Sequence, residues 1–171
     1  MSNEGVTISG VSPRGPFQPR RVIKTLTLAG AGQAGARQLG CVRWTGTIYL
    51  WEIGGDVTTV LGANVASARF RTNDQTSQVY LSAAAVLDAA PVGSWIGAKG
   101  AFATATVFRS SAAAVVTAPA DVQQATELTA KAGVNNDIEF EWISNPAAAS
   151  GVIRLCFFWF PASANASLVV L

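Results

Sequence analysis

The chain has 171 residues, a net charge of +2 and only 13 % charged side chains, which suits one domain with a real core. It contains no histidine, so the usual general base and the commonest zinc ligand are missing, and its two cysteines are too few for a disulfide framework. No apolar run is long enough for a membrane span. Charge this sparse, against about a quarter in ordinary soluble proteins, fits a surface covered by other subunits and equally a plain low-charge β-protein.

Ser2 to Arg21 reads as an extended arm, punctuated by Gly5, Gly10, Pro13, Gly15, Pro16 and Pro19, with Phe17 as its one large apolar anchor. The first ten residues lack the charged and apolar regions of a signal peptide, and the expectation is a soluble product made in the cytoplasm. Arg14, Arg20 and Arg21, with Lys24, Arg37 and Arg43, make this end basic against a single acid, Glu4, whereas Asp137, Glu139 and Glu141 gather far downstream. That asymmetry permits contact between an arm and a neighbouring subunit, with solvated surface charge as the plain alternative. Arg14, Phe17, Arg20 and Arg21 are the candidate contact residues.

The body is expected from 22 to 171. Val22 to Leu28 alternates as a strand with Val22, Leu26 and Leu28 inward. Ala29 to Gly35 is a glycine-rich turn; it lacks the Gly-Lys-Ser/Thr ending of a phosphate loop and no helix follows it, so nucleotide binding is not indicated. Cys41 to Leu61 reads as the central ribbon: a long strand, a Gly54-Gly55-Asp56 turn and a returning strand from Val57. Within it Trp44, Ile48 and Leu50 fall on one face, and Tyr49, Trp51 and Ile53 on the other, so both faces are largely apolar.

Val65 to Arg71 and Val79 to Ala83 are further strands, joined by a turn at Asn73-Asp74-Gln75; Ala84 to Leu87 is expected to form one helical turn. Ala90 to Gly97 is a corner bounded by Pro91 and glycines, carrying Trp95. Ala101 to Arg109 alternates, a short strand follows at Ala113 to Thr117, and Gln123 to Lys131 suits a helix or a strand. After a turn at Gly133 to Asn136, Asp137 to Ile143 is a strand with Ile138, Phe140 and Trp142 on one face and Asp137, Glu139 and Glu141 on the other, solvent-facing one. Val152 to Phe160 lacks clear alternation, which implies cover on both faces; Pro161 ends it, and Ser167 to Leu171 adds a short last strand. Strands separated by turns every 8–12 residues or so indicate an all-β sandwich or barrel.

Chemistry is sparse. Cys41 and Cys156 read as free buried thiols without a nucleophile's partner. Glu139 and Glu141, about 7 Å apart on one strand face, imitate a glycosidase pair, but an acidic solvent face is the stronger reading. Calcium sites at Asp56, Asp74 or Asn135-Asn136-Asp137 lack assured convergent oxygens. The basic stretch from Arg14 to Arg21 is too short for a nucleic-acid surface. No catalytic, cofactor-binding or metal-ligating residue is assigned, and neither a small-molecule substrate nor a membrane is implied.

Two stretches carry a resemblance. Trp44-Thr45-Gly46-Thr47-Ile48-Tyr49-Leu50-Trp51-Glu52-Ile53, followed by Thr58-Thr59-Val60-Leu61-Gly62-Ala63, resembles a segment of small phage and prophage virion-associated proteins. The ending Trp159-Phe160-Pro161-Ala162-Ser163-Ala164 is similar to their Trp-x-Pro-Leu-Ser-Ala, with Ala162 a departure from Leu. The resemblance runs loosely from Lys24 to the end and leaves the arm outside. It implies a non-enzymatic head decoration (cement) protein: a β-sandwich of jelly-roll type with an extended arm, assembled in the host cytoplasm. Its partners would be copies of itself, as a homotrimer, and the major capsid protein, whose capsomers it staples on the virion. The alternatives are a tail component or a fibre or receptor-binding head with Trp95 or Tyr80 lining a sugar groove, and, more distantly, a glycan hydrolase using Glu139 and Glu141.

Overall fold

The structure, a computed structural model, describes residues 18–28, 35–62, 65–73, 78–99, 125–144 and 150–171. Ten strands follow in chain order: β1 (Arg20–Thr27), β2 (Gly35–Thr45), β3 (Thr47–Thr59), β4 (Val65–Asn73), β5 (Gln78–Tyr80), β6 (Trp95–Lys99), β7 (Thr126–Thr129), β8 (Asp137–Ser144), β9 (Val152–Pro161) and β10 (Ser167–Val170). Among the described residues there is no helix.

The strands form two antiparallel sheets. The first has the order β1-β9-β3-β6, and β7 lies end to end with β6 along the same side of β3. The second has the order β10-β2-β8-β4-β5. From β1 to β4 the chain changes sheet at every connection, so neighbours in sequence face each other across the core instead of pairing side by side. The change from β2 to β3 happens at Gly46, whose φ of +63° is the left-handed conformation that glycine adopts without steric cost. A β-carbon there would also fall 2.5 Å from Ser163 Oγ.

Alternation places the core between the sheets. The first sheet sends in Leu26, Ile48, Leu50, Ile53, Val57, Ile96, Ile153, Leu155, Phe157 and Trp159; the second answers with Cys41, Val42, Trp44, Ala68, Phe70, Ile138, Phe140, Trp142 and Leu168. Phe70 and Phe140, directly paired across β4 and β8, lie 5.4 Å apart between ring centres, and Phe140 stacks on Trp142 at 6.0 Å. Each large side chain so buried contributes about 1.5–3 kcal/mol. Val22 is only half-buried but packs against this core, in line with the inward face expected for β1.

Several local expectations are corrected. The long central ribbon is not a hairpin turning at Gly54-Gly55-Asp56; it comprises the end of β2, the corner at Gly46 and then β3, which runs straight through both glycines. These glycines are there for close approach. A β-carbon on Gly55 would sit 2.2 Å from the Arg154 carbonyl oxygen, and Gly54 lies under the Trp95 indole at 3.4 Å. Pairing with β9 slips between Leu50 and Glu52, a bulge with Trp51 as the extra residue. The slip shifts the phase, so Ile53 joins Ile48 and Leu50 inside instead of facing out with Tyr49 and Trp51. Ala84 to Leu87 is extended, not a helical turn: Ala85 bridges Ala68 and the Leu87 amide bonds the Val65 carbonyl. Trp95 to Gly97 belongs to β6, the corner being confined to the residues before it, and the helix-or-strand segment resolves as β7. The turn before β8 is as expected, closed by Asn136, whose side chain receives the Lys131 amide and donates to the Lys131 and Val134 carbonyls. The glycine-rich turn as far as Ala34, the strands expected at 101–109 and 113–117, and the arm as far as Phe17 lie outside the described residues; Gly35 opens β2.

Ala89 holds φ of +51° without being glycine, a conformation that costs an L-residue about 1–2 kcal/mol. Ala89→Gly is therefore expected to raise the unfolding free energy by roughly 1 kcal/mol once glycine's greater chain entropy is offset, whereas Gly55→Ala should lower it by more than about 2 kcal/mol through the clash with β9. Urea denaturation of the two variants against the parent chain checks both signs.

Candidate interaction surface

The sequence places the acids of β8 on a solvent face. They are not free there. Register brings Arg43 of β2 opposite Asp137, and Arg71 and Arg69 of β4 opposite Glu139 and Glu141. Arg43 Nε donates to Asp137 Oδ1 at 2.7 Å and its Nη2 to Oδ2 at 3.0 Å; this bond holds the Arg43 pKa above its ordinary value. Arg69 bonds Glu141 Oε1 at 2.6 Å, and Arg71 reaches Glu141 Oε2 at 2.9 Å and Glu139 Oε2 at 2.7 Å. Asn73 donates to the remaining Glu139 oxygen at 2.9 Å. Arg71 and Glu141 are only 2 % and 3 % exposed, which corrects the expectation of a solvated acidic face.

Every oxygen of the imitated carboxylate pair is thus held by a guanidinium or an amide. That arrangement suits structural cross-strand pairing and leaves the acids no hand to offer a basic arm. The positions weighed and set aside for calcium are likewise engaged: Asp56 binds Arg154 at 3.0 Å, Asp137 binds Arg43, and Asn136 closes its turn; Asp74 lies outside the described residues. Among the described residues no group of three or more metal-ligating side chains occurs, and no helix is long and apolar enough to cross a membrane.

The aromatics proposed for a sugar groove are separated. Trp95 lies on the first sheet, over Gly54 and Gly97. Tyr80 sits in β5 of the second, under Arg69 at 3.6 Å and hydrogen-bonded to it.

The first sheet presents a different picture on its outward face. Strand β9 alternates strictly: Ile153, Leu155, Phe157 and Trp159 are buried in the core, and Cys156, Phe158 and Phe160 point the other way and are only half-buried. The missing alternation in the sequence is a strand apolar on both sides. Its outward side chains are flanked in register by Ile23 of β1, opposite Cys156, and by Tyr49 of β3, opposite Phe160. Ile23 is 47 % exposed and Tyr49 37 %. The bulged Trp51 meets Phe160 edge to face at 6.1 Å, and the Trp95 indole extends the apolar strip over the glycine platform. The bulge has a consequence here, since it turns Trp51 and Glu52 toward the same side.

Charge frames this strip unevenly. Arg21 of β1 lies to one side; Glu52 and Asp56 of β3, and Glu127 of β7, lie to the other, and Arg154 stands in β9 itself, joined to Asp56. Arg21, Arg154 and Glu52 all act electrostatically on the Cys156 thiol, which places them around it. Tyr49 hydrogen-bonds Glu127, which raises the phenol's pKa.

Of the four candidate contact residues, Arg14 and Phe17 lie outside the described residues. Strand β1 begins at Arg20, so Arg20 and Arg21 belong to the body. They point to opposite faces: Arg20 sits over the Trp159 ring at 5.3 Å, and Arg21 is exposed beside Phe158. Sequence reasoning missed the strip itself; the signal available was the apolar run from Leu155 to Phe160 in β9.

Both cysteines are free, on different sheets. Cys41 is buried, as expected, and burial pushes its thiol up to about 12. Cys156 is not buried; it stands in the strip. Comparison of the chain with protein-family models, with curated proteins and with solved structures finds no match.

Two outcomes follow. Glu141→Ala leaves Arg69 and Arg71 without their shared counter-charge and should destabilise by about 3–5 kcal/mol in guanidinium unfolding, since a buried ion pair broken on one side strands the other charge. The Cys41 proton is retained by the folded state between pH 9, the ordinary value, and about 12, while the unfolded chain loses it. Stability should therefore fall as pH rises through that window, by about 1 kcal/mol per unit from this group. A Cys41→Val variant should show a shallower slope in pH-dependent melts.

Proposed function

We propose that this chain is a non-enzymatic structural subunit of a bacteriophage virion, of the head decoration (cement) type, acting with copies of itself and with the major capsid protein. The observation that carries the reading is the outward face of the first sheet, where aromatic and aliphatic side chains stand half-exposed on β9, β1 and β3. A contiguous apolar patch of this kind on a charge-poor chain marks a surface built to be covered. The internal neutralisation of Asp137, Glu139 and Glu141 supports the same reading, because those acids serve cohesion and not chemistry.

The strand path supports a finer reading of the fold as a jelly roll. Strands β1-β9-β3-β6 and β2-β8-β4-β5 follow the order of an eight-stranded double Greek key, with β7 and β10 added at the edges; viral capsid domains use this architecture. Function would then rest on burial. Each copy hides apolar surface against its neighbours, and simultaneous attachment at several points makes release rare.

The test is binding of the purified protein to undecorated capsids. Co-sedimentation with the shell, lost at high dilution of isolated subunits but retained by the assembled form, is the expected result; absence of binding to any capsid preparation sinks the reading. Removing residues 2–19, which leaves β1 intact from Arg20, should reduce attachment at least tenfold while the far-UV spectrum of the body stays unchanged. Attachment at full strength would show that the arm plays no part.

A further inference from the structure

We propose that the outward strip of the first sheet is occupied by a second copy of the same chain, related by a two-fold axis that runs along β9. The inference rests on the strip being an assembly surface and adds which partner covers it.

Charge and register single out a second copy as the occupant. In one cross-sheet row, Arg21 of β1, Phe158 of β9 and Glu52 of β3 stand side by side. Arg21 and Glu52 are thus two strand positions apart, one on each side of the apolar centre. A two-fold axis along β9 exchanges the two sides. It lays Phe158 against Phe158 and sets Arg21 of each copy opposite Glu52 of the other, so one face supplies both halves of two identical ion pairs, as an isologous interface requires. Neither residue has an ion-pair partner among the described residues, whereas the other charged pair of the face, Arg154 and Asp56, is already joined within the chain.

The axis overlays three strand positions, β1, β9 and β3, and leaves β6 and β7 without a counterpart. At about 4.8 Å by the eight residues of β1 at about 3.3 Å these give roughly 380 Å² of flat sheet per copy, or about 760 Å² for the pair, the size of a weak contact that contacts elsewhere must reinforce. The same axis brings Cys156 of one copy over Cys156 of the other across the roughly 10 Å that separates packed sheets. A two-fold contact here leaves other surfaces free for three-fold contacts, and the two together make a hexamer.

Light scattering on the purified full chain is the first experiment, with an even number of chains expected; a monomer or a trimer overturns the proposal. Arg21→Glu and Glu52→Arg, each verified as folded by near-UV circular dichroism, should each halve the assembly mass, because every copy then meets a like charge. An equimolar mixture of the two variants should recover the parental mass, since the new carboxylate at position 21 of one chain meets the new guanidinium at position 52 of the other. Single variants that keep the parental mass, or a mixture that fails to recover it, overturn the pairing. A measurement on the unaltered surface stands beside these: a short bismaleimide should link the parent chain and Cys41→Ser into dimers, and Cys156→Ser should not be linked. Equal linking without Cys156, or none in the parent, counts against the axis. None of these readouts involves a capsid. A trimer that still decorates capsids would end the two-fold pairing and leave the virion reading standing, and an even-numbered assembly that ignores capsids would do the reverse.

Discussion

The reversal at Gly46 is the constraint on which the rest of the structure depends. With φ of +63° and no room for a β-carbon beside Ser163 and Asn165, the chain leaves β2 in one sheet and enters β3 in the other within a single residue. Had the corner been a hairpin, β2 and β3 would have paired with each other. Instead β3 pairs with β9 on one side and β6 and β7 on the other, β2 pairs with β8 and β10, and the core is what lies between. Trp44 and Ile48, on either side of the corner, are consequently both buried, one from each sheet.

That arrangement explains why β3 tolerates Gly54 and Gly55 at its middle. Glycine in a strand normally weakens it, but here the β9 carbonyl at Arg154 approaches from one direction and the Trp95 indole from another. The strand exchanges side-chain packing for close backbone approach, and the bulge at Trp51 restores the inward phase for Ile53 and Val57. Irregularity in β3 and regularity in β9 are two sides of one pairing: the straight strand carries the aromatics, and the bent one makes room for them.

The two outer faces then divide the labour. On the second sheet, Arg43, Arg69 and Arg71 interleave with Asp137, Glu139 and Glu141 into a closed set of cross-strand pairs. On the first, Cys156, Phe158, Phe160, Trp51 and Ile23 remain half in water with charges of opposite sign on the two flanks. A face satisfied from within has little to give a partner. A face whose apolar centre is left open, with Arg21 and Glu52 unpaired beside it among the described residues, has interaction energy still to realise, and this contrast separates the two sheets.

The amino-acid sequence by itself determined the all-β class, the positions of most strands, the turn from Gly133 to Asn136 and the inward face of β8, because propensity and period-two alternation are local properties of the chain. It also carried the apolar run of β9, though not the knowledge that one of its two faces stays uncovered within the subunit. Only the tertiary structure decided that Gly54 and Gly55 lie inside a strand, that Ile53 points inward and that Glu141 is buried. A glycine chosen for a turn and a glycine chosen for close approach are the same residue in sequence. An acid facing water and an acid facing an arginine from β4, some 70 positions away, share the same alternation. Register between strands distant in the chain is what tells them apart, and register exists only once the sheets have formed.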